Sequence, residues 1–259
     1  MTFKDLKRLL LTSSSQQYEE TSLAIEDENP RLTMLLSRLR YKPFWIWDKS
    51  EHKRQCALTK GNCCMNHVIG LPEKDGKKMP LFPYEKIIYD SLITNNQKCL
   101  WIKKATGLGI TEFFLRIIVW LATKDDAFAN KQVVIVTGPN LQIAITLVKR
   151  IKALFLKHLI TFANKDTVLE LNGCHIESYP SHHIDAFRAL ESPKFILLDE
   201  CDFFPLQSML DIRNVAKRYI AKSNPVIAMV NTPNVPDGLF ETIEREPEDN
   251  CLYKRLFLD

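Results

Sequence analysis

Residues 104–111, KATGLGIT, place a lysine, two glycines and two threonines close together. Gly107 and Gly109 let the backbone curl with its N–H groups facing inward, and the N-terminus of a helix that begins at Thr111 attracts anions. The Thr111 hydroxyl has the position at which a phosphate-binding loop holds Mg²⁺. The stretch therefore predicts a loop that binds phosphate, although a plain glycine turn before a helix is the alternative when it is considered alone.

The loop departs twice from the usual pattern G-x-x-x-x-G-K-[ST], because Lys104 replaces its first glycine and Ile110 replaces its lysine. A loop that wraps a phosphate brings its first residue near its last, so either Lys103 or Lys104 could supply the missing charge from the front. Strand alternation sends these two side chains to opposite faces. We therefore expect only one of them to contact phosphate.

A second stretch, KFILLDE, ends an apolar segment with two adjacent carboxylates. A buried strand with Asp199 and Glu200 at its carboxyl end suits a Mg²⁺-nucleotide site. There Asp199 holds the metal, usually through its water, and Glu200 orients or deprotonates the attacking water. A charged turn after a core strand is the alternative. Because KATGLGIT and KFILLDE occur in order within one pattern of strands and helices, together they predict a nucleotide site.

A third stretch, VIAMVNTPN, follows an apolar strand with the polar residues Asn231, Thr232 and Asn234. In P-loop motor proteins the corresponding strand end senses the γ-phosphate and relays its loss. A turn made by proline and asparagine is the alternative.

The elements that position these stretches alternate from about residue 81 onward. Apolar runs such as KCLWIK, QVVIVT and KFILLDE predict strands, the segments between them have helical periodicity, and Asn172-Gly173 predicts a hairpin. Continuous apolar strands separated by helices indicate an α/β fold, with a mainly parallel sheet flanked by helices on both faces. Ligands of such sheets bind at the carboxyl ends of the strands, where the three polar stretches fall.

Composition limits the possible classes of protein. With 259 residues, 46% of them hydrophobic and 25% charged, the chain has a globular composition and room for one large domain. Its formal charge of +4 permits a nucleic-acid partner without arguing for one. The most apolar run, FFLRIIVWLA, contains Arg116 and is too short to span a bilayer. The odd count of seven cysteines predicts reduced thiols in an intracellular protein.

Residues 1–80 differ in character and predict a small, mostly helical and partly irregular N-terminal extension to a domain formed by residues 81–259. Potential zinc ligands lie close together within this extension, namely His52, Cys56, Cys63, Cys64 and His67. Their spacing is not a standard zinc pattern and adjacent cysteines rarely both ligate, so buried apolar thiols are the favoured alternative.

The three stretches, in this order, resemble the ATPase domain of large terminase subunits, the motors that package viral DNA. Several members of that family carry a divergent loop K-A-R-Q-L-G-I-[ST], which KATGLGIT matches except at Thr106 and Gly107. FPYEKIIYDSL resembles the helix before the loop, where an aromatic residue and a glutamine contact adenine; here Tyr84 is present and Glu85 replaces the glutamine. NTPN resembles the coupling motif S-T-P-N, with Asn231 for serine.

The resemblance implies a P-loop NTPase fold of the RecA/ASCE type and an ATPase that uses Mg²⁺. It implies Glu200, Lys104 and Arg188 as catalytic residues, the arginine because DAFRAL lies where the family often has one. It implies Thr111 and Asp199 as the residues that hold Mg²⁺. The candidate nucleotide contacts are Lys103 or Lys104, together with Ala105, Thr106, Gly107, Leu108, Gly109, Ile110, Thr111, Tyr84 and Asn231.

The resemblance also implies double-stranded DNA as the translocated partner, neighbouring copies in a ring, a small terminase subunit and a portal protein, in an intracellular viral or proviral context without a membrane. Large terminases usually carry a nuclease domain, which would begin about where this sequence ends. We therefore expect no nuclease activity from these 259 residues.

Two other functions fit parts of the sequence. ATGLGIT and DECD resemble the loop and acidic box of DEAD-box helicases of superfamily 2. Their loop keeps its lysine, however, and they need a second RecA-like domain for which no room remains. A degenerate P-loop domain that binds nucleotide or DNA without turnover is favoured by Ile110 and Glu85, and disfavoured by the intact pair Asp199 and Glu200.

Overall fold

The structure, a computed structural model, describes residues 81–258 except 125–127, 157–161, 164, 184–186 and 234–235. It also describes two short antiparallel strands, Glu73–Lys74 and Lys77–Lys78. The rest of the predicted extension, with the whole possible zinc cluster, lies outside the described residues. Within the described part, no group of three or more His, Cys, Asp or Glu side chains could hold a metal ion.

A seven-stranded sheet forms the centre of the domain, in the order β3-β4-β2-β5-β6-β1-β7. All neighbouring strands are parallel except β3 and β4, which form a hairpin at one edge. This confirms the predicted mainly parallel sheet. The strands are β1 (Cys99–Lys104), β2 (Gln132–Thr137), β3 (Val168–Leu171), β4 (Cys174–Pro180), β5 (Pro193–Asp199), β6 (Val226–Asn231) and β7 (Lys254–Leu258).

Helices cover both faces of the sheet, as their apolar periodicity requires. One face packs against α1 to α3 and the other against α4 and α5, each through its own buried core. None of the described helices is both long enough and apolar enough to cross a membrane. The helices are α1 (Pro83–Tyr89), continued by a π-helical turn over Asp90–Thr94, α2 (Ile110–Lys124), α3 (Leu141–Leu156), α4 (Leu206–Ser223) and α5 (Leu239–Arg245).

Strand β1 shows how the sheet distributes its side chains. Leu100 and Ile102 are buried against the α1–α3 face, whereas Trp101 is buried against the α4–α5 face. The Trp101 ring stacks on Phe240 with centroids 4.2 Å apart, and its indole N–H donates to the Phe240 carbonyl at 3.1 Å. Because the side-chain period of a strand is two, Lys104 continues the α1–α3 face and Lys103 the α4–α5 face.

Two features at the edges of the sheet complete the fold. The predicted hairpin is confirmed, with Asn172 and Gly173 both at positive φ, 54° and 72°, as a two-residue turn of this type requires. Strand β7 is not among the predicted strands; alternate residues of its sequence KRLFL, Leu256 and Leu258, are buried. It pairs with β1 and extends the sheet beyond the glycine loop's own strand.

Candidate active site

The carboxyl ends of three neighbouring strands meet at one point of the sheet edge. Strand β6 lies between β1, which leads into the glycine loop, and β5, which ends in the two carboxylates. Lys103 pairs in register with Asn231, and Asp199 with Val230. The three polar stretches that are far apart in sequence are therefore adjacent in space, as expected for a ligand site of a parallel sheet.

The two lysines at the front of the loop have different surroundings. Lys104 is buried, with 7% of its side chain exposed; its Nζ donates to Glu200 Oε1 at 2.8 Å and to Thr232 Oγ1 at 3.0 Å. Lys103 forms an ion pair with Glu244 of α5 at 2.9 Å on the opposite face. Of the two side chains, only that of Lys104 is thus directed at the carboxylate Glu200.

Thr111 and Asp199 form a second contact within the same group. The Thr111 hydroxyl, in the first turn of α2, donates to Asp199 Oδ1 at 2.8 Å. Burial of the Asp199 carboxyl raises its pKa from 3.8 to about 6, although the Thr111 hydrogen bond and the charge of Lys104 oppose the rise. A buried carboxylate whose charge is so poorly compensated is suited to a cation.

Glu200 is reached through an unusual backbone turn. Its φ and ψ, 53° and 45°, lie in the left-handed region that a residue with a Cβ rarely adopts. The turn directs its carboxylate toward Lys104, and Oε2 lies 3.5 Å from the backbone nitrogen of Thr232. Such strain, of order 1–3 kcal/mol, is characteristic of functional sites. The side chain stays 35% exposed, in contrast to Lys104.

The glycine loop has the open shape that a phosphate needs. Gly107 and Gly109 have φ of 85° and 72°, and no heavy atom lies within 4 Å of a Cβ placed on either. Ile110 begins α2 and only 1% of it is exposed, so the side chain in the usual lysine slot belongs to the core. The Ala105 N–H donates to the Leu258 carbonyl of β7 at 2.9 Å, which anchors the front of the loop. Thr106 is exposed.

The helix before the loop contacts it through Tyr84. The Tyr84 hydroxyl donates to the Leu108 carbonyl at 3.1 Å, and the Tyr84 ring stacks on Phe82 with centroids 5.3 Å apart. Glu85 is buried and accepts the Phe82 backbone N–H at 2.8 Å, so it caps the start of α1. Burial raises the Glu85 pKa, with that hydrogen bond and the charge of Arg116 opposing.

Two further predicted residues have partners of their own. Asn231 is fully buried; its amide N–H donates to the Thr232 carbonyl, and its Oδ1 has no hydrogen-bond partner among the described residues. Arg188 forms an ion pair of 3.5 Å with Asp211 of α4. Asn234 lies outside the described residues.

Sequence reasoning missed two contributors to the site. Thr232 is predicted only as part of a polar cluster, yet it accepts from Lys104. Glu112, next to Thr111, accepts from Arg150 of α3 at 2.7 Å and from Arg116 at 3.1 Å, and so joins α2 to α3 beside the loop. Strand alternation could have indicated Thr232, because it lies on the same face as Lys104. The Arg116 contact of Glu112 is an i,i+4 pair within α2, whereas its Arg150 contact depends on tertiary packing.

No protein-family model matches the sequence, and no curated protein matches it. Among solved structures, the large terminase of a thermophilic bacteriophage aligns with a TM-score of 0.54 at 11% identity, over 69% of this chain and 46% of that one. The large terminase of bacteriophage HK97 aligns with a TM-score of 0.50 at 17% identity, over 66% of this chain and 37% of that one. A DEAD-box protein of Methanococcus jannaschii aligns with a TM-score of only 0.38, too low for an argument.

At sequence identities of 11% and 17%, these alignments show a similar fold. The chain spans less than half the length of these two phage terminases, and the aligned part carries the parallel sheet with its flanking helices. The terminase of the thermophilic phage has also been solved in complex with ADP, and that structure aligns with a TM-score of 0.52. The chain thus has the P-loop NTPase fold of the phage large terminases.

Proposed function

We propose that residues 81–259 form the ATP-binding and ATP-hydrolysing motor domain of a terminase-like large subunit, which drives translocation of double-stranded DNA. The observation that carries the proposal is the pair of adjacent hydrogen-bonded clusters where β1, β5 and β6 end. Lys104, Glu200 and Thr232 form one cluster, and Thr111 with Asp199 forms the other. The terminase fold and the order of the three motifs support the motor function.

The residues present fit Mg²⁺ and a nucleotide. Mg²⁺ prefers oxygen ligands, usually one or two from the protein with the rest from water and phosphate. The Thr111 hydroxyl and the Asp199 carboxylate, 2.8 Å apart, supply such oxygens, and Asp199 lacks a full counter-charge. Gly107 and Gly109 adopt the positive φ that favours glycine, and at these two positions no side chain excludes phosphate.

Each residue then has a definite task. The loop N–H groups and Lys104 bind the phosphates, which neutralises charge at the point where it develops. Thr111 and Asp199 hold Mg²⁺, which when bound shields the phosphate oxygens. Glu200 orients the attacking water and accepts its proton. Thr232, at the end of β6, is placed to pass a change at Lys104 or Glu200 to the segment that follows.

Double-stranded DNA, a ring of neighbouring copies, a small terminase subunit and a portal protein are the partners that this function entails. Such a ring allows a neighbour to supply an arginine to the site. Tyr84 is proposed to contact the base, because it already borders the loop at Leu108. Glu85 caps α1 by accepting the Phe82 N–H, and Phe82 in turn stacks on Tyr84. We therefore propose that Glu85 acts on the base-binding region through the position of Phe82.

ATP turnover by the purified chain, with and without duplex DNA, tests the proposal. We expect Glu200→Gln to lower kcat by about 100-fold or more, as loss of a general base does. Lys104→Ala should abolish most turnover, whereas Lys103→Ala is the matched control, because its partner is Glu244 on the other face. Equal turnover by all four proteins would overturn the site assignment.

A wild-type chain that binds ADP but never turns over ATP, with or without DNA, would instead identify a P-loop domain that binds without hydrolysis. The turnover measurements with duplex DNA test the motor function separately. Turnover that is insensitive to duplex DNA would leave the ATPase assignment standing and remove the support for translocation.

A further inference from the structure

Lys104 is held by two partners of unequal charge. One is the carboxylate of Glu200 at 2.8 Å, and the other is the neutral hydroxyl of Thr232 at 3.0 Å. An ammonium group has three N–H donors and no acceptor, so these two contacts leave one donor for a further acceptor. The lysine that is proposed to bind phosphate is therefore engaged with the residue that is proposed to activate water.

We propose that Lys104 exchanges partners when nucleotide binds: the phosphates take the place of Glu200, and Thr232 keeps the ammonium in position. The proposal rests on the proposed function. Before nucleotide binds, Glu200 is paired and not available as a base. Binding of the substrate frees it, so that the base is available only when there is a phosphate to attack.

Charge repulsion requires the exchange. A polyphosphate that accepted the third N–H of Lys104 would lie within a few ångströms of the Glu200 carboxylate, and two negative charges at about 4 Å repel by a few kcal/mol near a protein surface. The Thr232 hydroxyl carries no charge and is not repelled. Phosphate oxygens therefore compete with Glu200 and not with Thr232.

Burial decides which of the two ionic partners moves. Lys104 is 7% exposed and sits at the end of β1, where β6 and β7 flank it, so its side chain has little freedom. The Glu200 side chain is 35% exposed and follows the last residue of β5. Its carboxylate can rotate toward solvent while its strained backbone stays fixed, and there it can meet the attacking water.

The chain provides a matched control for this exchange. Lys103 and Glu244 form an ion pair of 2.9 Å, one residue away in sequence and on the opposite face of the sheet. Replacing Glu244 removes the same charge from a neighbouring lysine without touching Lys104. If affinity for nucleotide rises only because the protein becomes more positive, it should rise in both Glu200→Gln and Glu244→Gln. If it rises because Lys104 is released, it should rise only in Glu200→Gln.

Equilibrium binding of Mg²⁺ with β,γ-imido ATP, which is not hydrolysed, measures the competition in the full chain. We expect Glu200→Gln to bind about two- to fivefold more tightly than wild type, the range for removing a partly exposed competing ion pair. Glu244→Gln should bind like wild type. Thermal unfolding of each variant verifies that it is folded.

A double-mutant cycle shows whether the gain passes through Lys104. In a Lys104→Met background, the gain in affinity from Glu200→Gln should be clearly smaller than in the wild-type background, because only the repulsion between Glu200 and the phosphates is left to relieve. An equal gain with and without the lysine would mean simple repulsion by Glu200 and would overturn the exchange. No gain in the single variant would overturn it as well. Wild-type protein that binds no nucleotide at all would instead refute the proposed function itself.

The role of Thr232 has its own comparison. Thr232→Val keeps the shape and removes the hydroxyl, and we expect roughly 10- to 100-fold weaker binding of the analogue, as for loss of one hydrogen bond to a charged group. Thr232→Ser keeps the hydroxyl and should bind within about twofold of wild type. Equal affinity of the Val and Ser variants would contradict the anchoring role of Thr232.

Discussion

Replacing Asp199 by asparagine should make the nucleotide-free protein more stable. The carboxyl is 3% exposed, and burial raises its pKa from 3.8 to about 6. The folded state therefore binds a proton more readily than the unfolded state, so the wild type loses stability as pH rises through this window. An asparagine keeps the oxygen that accepts the Thr111 hydroxyl and carries no charge to bury.

The magnitude follows from the pKa difference. Roughly two pH units at 1.36 kcal/mol each give about 3 kcal/mol of destabilisation from the ionised carboxyl, fully present above about pH 6 and absent below about pH 4. The amide N–H₂ of asparagine is a buried donor that needs an acceptor, and we expect this need to reduce the gain in stability by about 1 kcal/mol. A net gain of about 2 kcal/mol at pH 7.5 corresponds to a rise in Tm of about 4–8 °C.

Thermal and urea unfolding in EDTA, at pH 4.5 and pH 7.5, measure this effect. The advantage of Asp199→Asn should be large at pH 7.5 and small at pH 4.5. Asp249→Asn, at an exposed position, is the control and should change stability by less than about 0.5 kcal/mol at either pH. Added Mg²⁺ and ADP should stabilise the wild type and not the Asp199 variant. A variant less stable than wild type at pH 7.5 in EDTA would refute the reasoning.

Two substitutions in the loop test its unusual arrangement. Restoring a lysine with Ile110→Lys should destabilise the fold by at least about 3 kcal/mol in urea unfolding, because residue 110 is only 1% exposed in the core, and the double variant Lys104→Ala/Ile110→Lys should not regain turnover. Recovered turnover would show that residue 110 can still reach the phosphates. Gly109→Ala should cost about 1–2 kcal/mol, since φ is 72° there, and should weaken ADP binding; an unchanged unfolding midpoint would contradict the positive φ.

The sequence predicted the site's location better than its internal contacts. The continuous apolar strands were sufficient to predict a parallel sheet and to bring three polar stretches to one edge. The period of a strand also placed Lys103 and Lys104 on opposite faces. Lys103 is drawn away from the candidate site by its ion pair with Glu244. That glutamate lies 141 residues later in the sequence, on a helix that covers the other face of the sheet. No local pattern carries that information.

The helix before the loop and the last strand also have contacts that the sequence did not predict. Glu85 stands where the resemblance has a base-reading glutamine, but its carboxylate caps α1 through the Phe82 N–H, a role that its position three residues later permits. Strand β7 starts with two charged residues, and the apolar run that follows, Leu256 to Leu258, is too short to predict a strand. The Glu85 cap is a local contact over three residues, whereas β7 depends on a tertiary partner, the edge of β1.

The position of the lysine determines which element of the fold its contacts can move. A lysine at residue 110 would belong to α2 and would follow the movement of that helix. Lys104 instead belongs to β1, whose neighbour in the sheet is β6, and it contacts Thr232 just after that strand ends. A change at the phosphates that alters the contacts of Lys104 therefore acts first on the segment after β6, across one hydrogen bond. In this arrangement the residue that is proposed to bind phosphate and the first residue after β6 are direct neighbours, which a lysine on the helix would not provide.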